Sequence, residues 1–299
     1  MVIFRLKQIY NRIKPDIIHH FTIKPVIYGS MVRYKCGSII NTIPGLGYSF
    51  SKRGVFYFLV KFLYRFAIQD EYRVIFQNED DYELFKSLRI VKDTQSTIIF
   101  GSGIDIDKFD SKKNNREDSK VYFGLITRLL WSKGIKEFIN ASIKLHKKFS
   151  NIRVVIIGSS DKGNPDCIPE NWLVKSIDAY PFIKWIEHTD NIIDELSKLD
   201  VFVYPSYYKE GIPRAVLEAA AMRLPIIMSD ISGSNKLVSD GENGYVVKKK
   251  STNALYEKMC ILAQSNNRDD MGNNSRNKII GKFDSSVIDS TVLQFYKNL

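Results

Sequence analysis

Short runs of β-branched residues alternate with helical patterns along this chain. The pattern predicts a first set of strands at 16–19, 38–42, 74–77 and 97–100, with helices at 27–35, 55–67 and 80–87. It predicts a second set of strands at 121–126, 154–157, 183–186, 201–204, 226–228 and 245–247. Alternation of this kind is typical of parallel sheets built from βαβ units. We therefore expect an α/β protein with two parallel sheets.

Helices are predicted between the strands of the second set and in the carboxy-terminal tail. The first of them has its apolar side chains on one face, namely Ile135, Phe138, Ile139 and Ile143. Pro213 is expected to open another helix, because a proline in the first turn loses no helical hydrogen bond. The tail at 254–299 reads as helical, with predicted breaks near Asn273 and Gly281.

A polar, charged stretch separates the two sets of strands. No apolar residue occurs between Phe109 and Val121, and such a composition is typical of a linker. We predict a first domain at 1–110, a linker at 111–120, a second domain at 121–281 and a carboxy-terminal helix at 282–299. Two parallel α/β domains joined in this way form a cleft, and ligands bind beyond the carboxyl ends of the strands.

Composition narrows the class of protein. The chain has 299 residues, of which 44% are hydrophobic, so it has ample apolar content for buried cores. No run reaches the roughly 18 to 20 apolar residues of a membrane span, and Met1 to Tyr10 makes a poor signal peptide. The three cysteines and four histidines show no metal-ligand spacing, so we expect buried thiols, no protein-built metal site and a cytosolic location.

The net charge of +11 is concentrated near the start of the chain. Eleven basic residues and a single acid, Asp16, lie between Met1 and Phe66, whereas the remainder is nearly neutral. The same segment is rich in phenylalanine and tyrosine, and this combination indicates contact with anionic lipid or nucleic acid. A core helix with lysines at its edge is the alternative. We predict membrane contact through Lys52, Arg53, Lys61 and Arg65, and no nucleic acid, since no nucleic-acid motif accompanies the charge.

Two cations follow the strand at 121–126. Arg128 and Lys133 lie on the loop that enters the next helix, where free N–H groups and the helix dipole both favour an anion. The alternative is a pair of solvated loop residues.

Two glutamates follow the strand at 201–204. Glu210 precedes the predicted helix, and Gly211 beside it allows a ligand to approach the backbone closely. Glu218 lies within the helix among Leu217 and three alanines, which predict a largely buried position. Because a buried carboxylate needs a hydrogen-bond partner, sugar or ribose hydroxyl groups suit this segment.

These segments together resemble the family 4 glycosyltransferases, retaining enzymes of the GT-B fold that use nucleotide-sugar donors. The resemblance covers Lys14 to roughly Gly281 and is most specific at Arg128 to Lys133, at 210–219, and at 224–227 with 240–244. The segments 14–20, 43–47 and 101–105 resemble the subgroup that builds bacterial O-antigen and capsular repeat units on polyprenyl diphosphate. The resemblance implies two Rossmann-like domains facing across a cleft. The first, at 1–110, would be an incomplete acceptor-side domain, and the second, at 121–281, would bind the nucleotide-sugar donor.

The resemblance also implies a role for each matching residue. Arg128 and Lys133 bind the donor diphosphate and stabilise the charge on the leaving nucleotide, so that no bound metal and no cofactor are expected. Glu218 binds the ribose hydroxyls and Glu210 the donor sugar. The amides of Gly211 and Ile212 bind the same sugar or its phosphate, and Leu217 belongs to the donor-binding segment. Arg128, Lys133 and Glu210 are the implied catalytic residues.

The sequence departs from the family pattern in two places. Many relatives have a histidine where this chain has Pro44, and relatives usually have sixty or more residues before the match to Lys14. We therefore expect a shortened amino-terminal domain. The leading hypothesis is a retaining transferase that moves a hexose or N-acetylhexosamine from UDP to a lipid-linked acceptor, as a peripheral protein at the cytoplasmic membrane face. The alternatives are a catalytically impaired fragment that only binds nucleotide-sugar, and a basic nucleic-acid-binding module.

Overall fold

The protein is described by a computed structural model covering residues 1–47, 50, 54–110, 119–208 and 210–299. Most of the predicted linker, residues 111–118, lies outside these ranges, as do two of the predicted membrane-contact residues, Lys52 and Arg53. The chain divides into two units. Unit 1 holds the described parts of Met1–Gly103, residues 210–213 and Ser285–Leu299, and unit 2 holds the described parts of Ile104–Tyr208 and Arg214–Asp284.

The elements follow one another in this order: α1 (Val2–Ile13), β1 (Ile17–Phe21), α2 (Ile23–Ser30), β2 (Ser38–Ile43), α3 (Val55–Ala67), β3 (Arg73–Phe76), α4 (Glu79–Ser87), β4 (Ser96–Ile98), β5 (Val121–Ile126), α5 (Ile135–Lys148), β6 (Ile152–Ile157), α6 (Glu170–Ile177), β7 (Ile183–Ile186), α7 (Ile192–Ser197), β8 (Val201–Tyr204), α8 (Arg214–Ala221), β9 (Ile226–Ser229), α9 (Ser234–Leu237), β10 (Gly244–Val247), α10 (Thr252–Gln264), α11 (Arg268–Ile279) and α12 (Ser285–Lys297).

Unit 1 is built on a parallel sheet in the order β1-β2-β3-β4. Successive side chains of a strand point to opposite faces, and β3 shows this directly. Val74 and Phe76 pack with α2, α3 and α4 on one face, whereas Ile75 packs with Ile288 of α12 on the other. Apolar residues on both faces of the strands therefore fit a sheet covered on both sides.

Unit 2 is built on a parallel sheet in the order β10-β9-β8-β5-β6-β7. The strand order reverses at β5, which pairs with β6 on one side and with β8 on the other. In open α/β sheets the carboxyl ends of strands at such a switch point form the usual ligand site. The segments that follow β5 and β8 are therefore where unit 2 is expected to carry its chemistry.

Several sequence-based assignments are confirmed to the residue, namely β5, β7, β8 and α3. The break near Asn273 is wrong, because α11 continues through this position and the chain instead breaks between Gln264 and Arg268. Tertiary contacts outweigh the weak helix propensity of asparagine here, since the Asn274 amide donates to the Glu242 carbonyl. The predicted helix at 27–35 lies earlier, at Ile23–Ser30. Cys36 is exposed, so the prediction of buried thiols is wrong for that residue.

Candidate functional site

Lys133 lies at the end of a short 3-10 helix, Trp131–Lys133, between β5 and α5. Its side chain is buried, with 4% of its surface exposed. The ammonium nitrogen donates to the Tyr204 hydroxyl at 2.7 Å and lies 5.2 Å from the centre of that ring and 5.1 Å from the centre of the Tyr208 ring. A lysine held in this way is a fixed cation rather than the solvated loop residue of the alternative interpretation.

Arg128 lies two residues beyond the end of β5 and is more than half exposed. Its guanidinium donates to the Asp161 carboxylate at 2.7 Å. Asp161 belongs to the loop after β6, the neighbouring strand of the same sheet. The guanidinium therefore already holds an anionic partner, at the position where the sequence predicts a diphosphate.

The turn that carries Lys133 is fixed by Asp166. The Asp166 carboxylate accepts the Ser132 N–H at 3.0 Å and also the Ser132 hydroxyl, and its carbonyl accepts the Trp131 N–H at 2.9 Å. Gly134 follows with a φ of 75°, and an added Cβ there would lie 2.3 Å from the Pro205 carbonyl oxygen. Only glycine allows the segments after β5 and β8 to approach so closely.

Tyr207, on the segment after β8, is tied to the same turn. Its N–H donates to the Ser132 carbonyl at 2.7 Å, and the Lys250 ammonium lies 4.6 Å from the centre of its ring. Burial, with the nearby charges of Glu137 and Asp166, raises the pKa of Tyr207 to about 12. The phenol is therefore a neutral donor or acceptor at physiological pH.

Glu218 lies in α8, which begins one residue after Pro213 as predicted. Its carboxylate accepts from Arg214 Nε at 2.9 Å and is 13% exposed. Burial raises the pKa of Glu218, while the hydrogen bond and charge of Arg214 and the charge of Lys108 act in the opposite direction. Its neighbour Leu217 is completely buried and packs into the core of unit 2.

Glu210, Gly211 and Ile212 belong to unit 1. The Gly211 N–H donates to the Pro44 carbonyl at 2.9 Å, and a Cβ added to Gly45 would lie 2.8 Å from the Glu210 Cα. A Cβ added to Gly101 would lie 3.0 Å from the Ile212 Cβ. The loop is therefore seated on the carboxyl ends of β2 and β4.

The predicted site residues thus occur in both units. Arg128, Lys133, Leu217 and Glu218 lie in unit 2, on the segments that follow the paired strands β5 and β8. Sequence reasoning missed the contact residues Asp161, Asp166, Tyr204, Tyr207 and Tyr208. Their sequence signal was position alone: Tyr204 ends β8, and the others follow β6 or β8.

The described ranges contain no group of three or more His, Cys, Asp or Glu side chains arranged to hold a metal ion. Within the same ranges, no helix combines the length and apolar character needed to cross a membrane.

Comparison with known proteins gives matches over most of the chain. Residues 106–278 match the family model "Glycosyl transferases group 1", and residues 1–78 match "Glycosyl transferase 4-like". The chain is 29% identical over 270 residues to the N,N'-diacetylbacillosaminyl-diphospho-undecaprenol alpha-1,3-N-acetylgalactosaminyltransferase of Campylobacter jejuni, covering 85% of this chain and 69% of that protein.

Two further relatives have similar coverage. The capsular polysaccharide biosynthesis glycosyltransferase CapM of Staphylococcus aureus is 26% identical, over 94% of this chain and 76% of its own. The UDP-Gal:alpha-D-GlcNAc-diphosphoundecaprenol alpha-1,3-galactosyltransferase of Escherichia coli is 26% identical, over 93% of this chain and 74% of its own.

Solved structures share the fold. The Anabaena protein HepE, crystallised in complex with UDP, superposes with a TM-score of 0.82 at 15% identity, covering 99% of this chain and 82% of that one. The two α/β units with parallel sheets match GT-B glycosyltransferase structures, which confirms the predicted α/β class and GT-B fold. Because one family model alone spans more than half of its residues, the chain belongs to the glycosyl transferases group 1 family.

Proposed function

We propose that this glycosyltransferase moves a hexose or N-acetylhexosamine from a UDP-sugar to a polyprenyl-diphosphate-linked acceptor, with retention of configuration, in the assembly of capsular or O-antigen polysaccharide. The observation that carries the proposal is the pair of cations beyond β5, Arg128 and Lys133, at the switch point of the unit 2 sheet. Two of the relatives are named as transferases that act on undecaprenyl-diphosphate-linked sugars, and this supports the choice of acceptor.

The two cations suit a diphosphate in different ways. Lys133 is already desolvated and held by Tyr204, so its charge does not have to be reorganised when negative charge develops on the leaving nucleotide. Arg128 is exposed, and the N–H groups of its planar guanidinium can donate two parallel hydrogen bonds to phosphate oxygens. Electrostatic stabilisation by protein cations is our reason for proposing transfer without a metal or cofactor.

The remaining donor contacts follow from the two glutamate segments. The largely buried Glu218 carboxylate is proposed to accept hydrogen bonds from the ribose hydroxyls. Glu210 and the amides of Gly211 and Ile212 are proposed to hold the donor sugar. In this structure the Gly211 N–H donates to the Pro44 carbonyl. It can bind the nucleotide-sugar only if it exchanges that hydrogen bond for one to the sugar.

Retention follows if the acceptor hydroxyl attacks the anomeric carbon on the face from which the diphosphate departs. The bond from that carbon to the diphosphate oxygen breaks as the new glycosidic bond forms, and the hydroxyl proton passes to the departing phosphate oxygen. This route needs no glycosylated enzyme carboxylate. Glu210 then serves to hold the sugar while Arg128 and Lys133 stabilise the departing phosphate.

The acceptor places the proposed enzyme at the inner face of the cytoplasmic membrane. Of the predicted membrane-contact residues, Lys61 and Arg65 lie on α3. The Arg65 guanidinium donates to the carbonyls of Leu88 and Arg89, at 3.1 and 3.0 Å, and so it also joins α3 to the end of α4. An excess of basic residues in unit 1 would attract an anionic lipid surface.

Calorimetric titration with UDP in the presence of EDTA tests the donor site. We expect binding that survives chelation, is lost or weakened at least about tenfold in Arg128→Ala and Glu218→Ala, and is unchanged in the control Lys162→Ala. Absence of UDP binding by the folded wild-type chain, or equal loss in all three variants, would contradict the proposed site. An assay of sugar transfer from a UDP-sugar to a polyprenyl-diphosphate-linked acceptor then decides between an active enzyme and a protein that only binds nucleotide-sugar.

A further inference from the structure

Helix α3 is apolar on its solvent side as well as its buried side. Its 13 residues include only two charged side chains, Lys61 and Arg65. The inner side packs into the core of unit 1 through Tyr57, Val60, Tyr64 and Ala67. A surface helix ordinarily has polar residues on the opposite side.

The outer side instead consists of large apolar residues. Five of these residues form what we call the outer face of α3. They are Val55 (88% exposed), Phe58 (61%), Leu59 (51%), Phe62 (64%) and Phe66 (53%). At about 100° per residue, these five positions fall within an arc of roughly 100°, opposite the buried side chains. The Phe62 and Phe66 rings lie 6.4 Å apart and nearly parallel. Such a continuous exposed apolar stripe indicates an interaction surface.

Cations border the outer face among the described residues. Lys61 and Arg65 flank the stripe on one side, and the Arg33 guanidinium lies 5.3 Å from the centre of the Phe66 ring. The sequence has no acidic residue between Asp16 and Asp70. Apolar side chains bordered by cations fit the boundary between acyl chains and anionic headgroups.

We propose that the outer face of α3 is a lipid-inserting surface that lies in the plane of an anionic membrane, with its phenylalanine rings below the headgroups. This proposal rests on the proposed use of a lipid-linked acceptor, and it makes apolar insertion, rather than charge alone, the basis of attachment. With 13 residues at about 1.5 Å each, α3 is about 20 Å long and too short to cross a hydrocarbon core of about 30 Å.

A second copy of the chain fits this surface poorly. A two-fold pairing through the outer face would bring the cations that border it towards those of its partner, and juxtaposed like charges oppose association. An anionic bilayer provides acyl chains for the apolar stripe and negative headgroups for its basic border. The observations therefore favour lipid over self-association.

The position of α3 in unit 1 suits this role. It connects β2 to β3, which are parallel, so it starts at the edge of the sheet where β2 ends. The same edge carries Pro44 and Gly45, on which Glu210 and Gly211 are seated. Insertion of the outer face would therefore keep this edge of the sheet close to the membrane surface. The proposed sugar-binding loop, which packs on the same edge, would then also lie beside the membrane.

Flotation with vesicles of phosphatidylglycerol and phosphatidylethanolamine tests the proposal. We expect the full chain to float with these vesicles and to remain partly bound at high salt. The double variant Phe62→Ser/Phe66→Ser should partition at least about tenfold less, because two rings no longer leave water. Leu293→Ser, which replaces a residue of α12 that is 56% exposed, is the matched control in the same unit and should float like the wild type.

Insertion depth gives an independent measurement. In Phe62→Trp, brominated acyl chains should quench a larger fraction of the tryptophan fluorescence than in the wild-type chain, because the added indole lies among the acyl chains. Unchanged flotation of the double variant, equal loss in Leu293→Ser, complete release by salt or no additional quenching would each overturn the proposal. Conversion of a dimer to a monomer by the double substitution, without vesicle binding by the wild type, would show that a second copy covers the face. Titration with UDP on the same samples keeps failure of insertion distinct from failure of the donor site.

Discussion

The Lys133 ammonium nitrogen lies 2.7 Å from the Tyr204 hydroxyl oxygen, although the two residues are 71 positions apart in the sequence. The contact joins the segment after β5 to the end of β8, the two strands at the reversal of the unit 2 sheet. A cation held in place before a ligand binds loses little entropy on binding. Tyr204 is therefore a positioning residue for the proposed diphosphate contact.

Replacing Tyr204 by phenylalanine tests this role. The change removes a hydrogen-bond partner from a buried ammonium and keeps the ring, so we expect a loss of about 1 to 2 kcal/mol in stability. UDP affinity should fall about threefold to tenfold, measured by calorimetry alongside the thermal midpoint. Tyr245→Phe is the control, since that tyrosine keeps its ring 4.4 Å from the Lys258 ammonium. Wild-type UDP affinity in Tyr204→Phe would contradict the positioning role.

Asp161 competes with the diphosphate for Arg128 in the proposed donor complex. Replacing it by asparagine removes the anion that accepts from the guanidinium at 2.7 Å. We expect Asp161→Asn to tighten UDP binding severalfold, because the donor no longer displaces a charged partner; the pair is exposed, so the effect should shrink at high salt. The same substitution in an Arg128→Ala background should have no effect. Weaker UDP binding in Asp161→Asn would show instead that the carboxylate holds Arg128 in its productive orientation.

The strands were the most predictable part of the structure. Residues such as those of β8 are buried on both faces, so an unbroken apolar run marks the strand in the sequence. The helix α1 was not predicted, although its residues form an amphipathic pattern. It packs on unit 1 through Tyr10, which contacts Tyr34 and hydrogen-bonds to the buried His20. These contacts join residues from different elements, so a local pattern does not show where the helix packs.

The candidate site was predictable in its residue types and not in its contacts. Arg128 and Lys133 could be selected because both follow a strand and precede a helix. The sequence could not predict that Lys133 is buried and Arg128 exposed. The burial of Lys133 depends on Tyr204 and Tyr208, and the partner of Arg128 comes from the loop after β6. Contacts of this kind are set by strand order, which a single sequence does not specify.

Gly45 makes room for the backbone of the proposed sugar-binding loop. A Cβ at this position would lie 2.8 Å from the Glu210 Cα, a separation that forces the backbone to move. We expect Gly45→Ala to lower the rate of sugar transfer at least about tenfold by displacing Glu210, since misplacement by about 1 Å is costly in a catalytic site. Binding of UDP, which lacks the sugar, should be nearly unchanged. Gly163→Ala is the control, because an added Cβ there meets no atom within 4 Å. Equal transfer rates in the two variants would remove the role assigned to this loop.

Glu218 should make donor binding sensitive to mild acid. Burial raises its pKa, so it becomes protonated at a higher pH than an ordinary glutamate and then accepts hydrogen bonds less strongly. We expect UDP affinity to decline as the pH is lowered from 7, starting above the range in which exposed carboxylates titrate. In Glu218→Gln the affinity should be lower at pH 7 and should lose this decline. A decline that persists in the glutamine variant would assign the titration to the UDP phosphates or to another group.

His19 should make the stability of unit 1 depend on pH. One ring nitrogen lies 2.6 Å from the Thr42 hydroxyl, the other hydrogen-bonds to Tyr296 of α12, and the ring stacks on Phe21. Burial, with the charge of His20, lowers the pKa of His19 to about 4. The unfolded chain therefore binds more protons than the folded one between pH 6.5 and about 4, and stability falls as the pH falls through that window. We expect the thermal midpoint of His19→Gln to decline less steeply over this range than that of the wild type. His188→Gln, at an exposed position, should keep the wild-type slope, and a shared slope for all three proteins would exclude His19 as the titrating group.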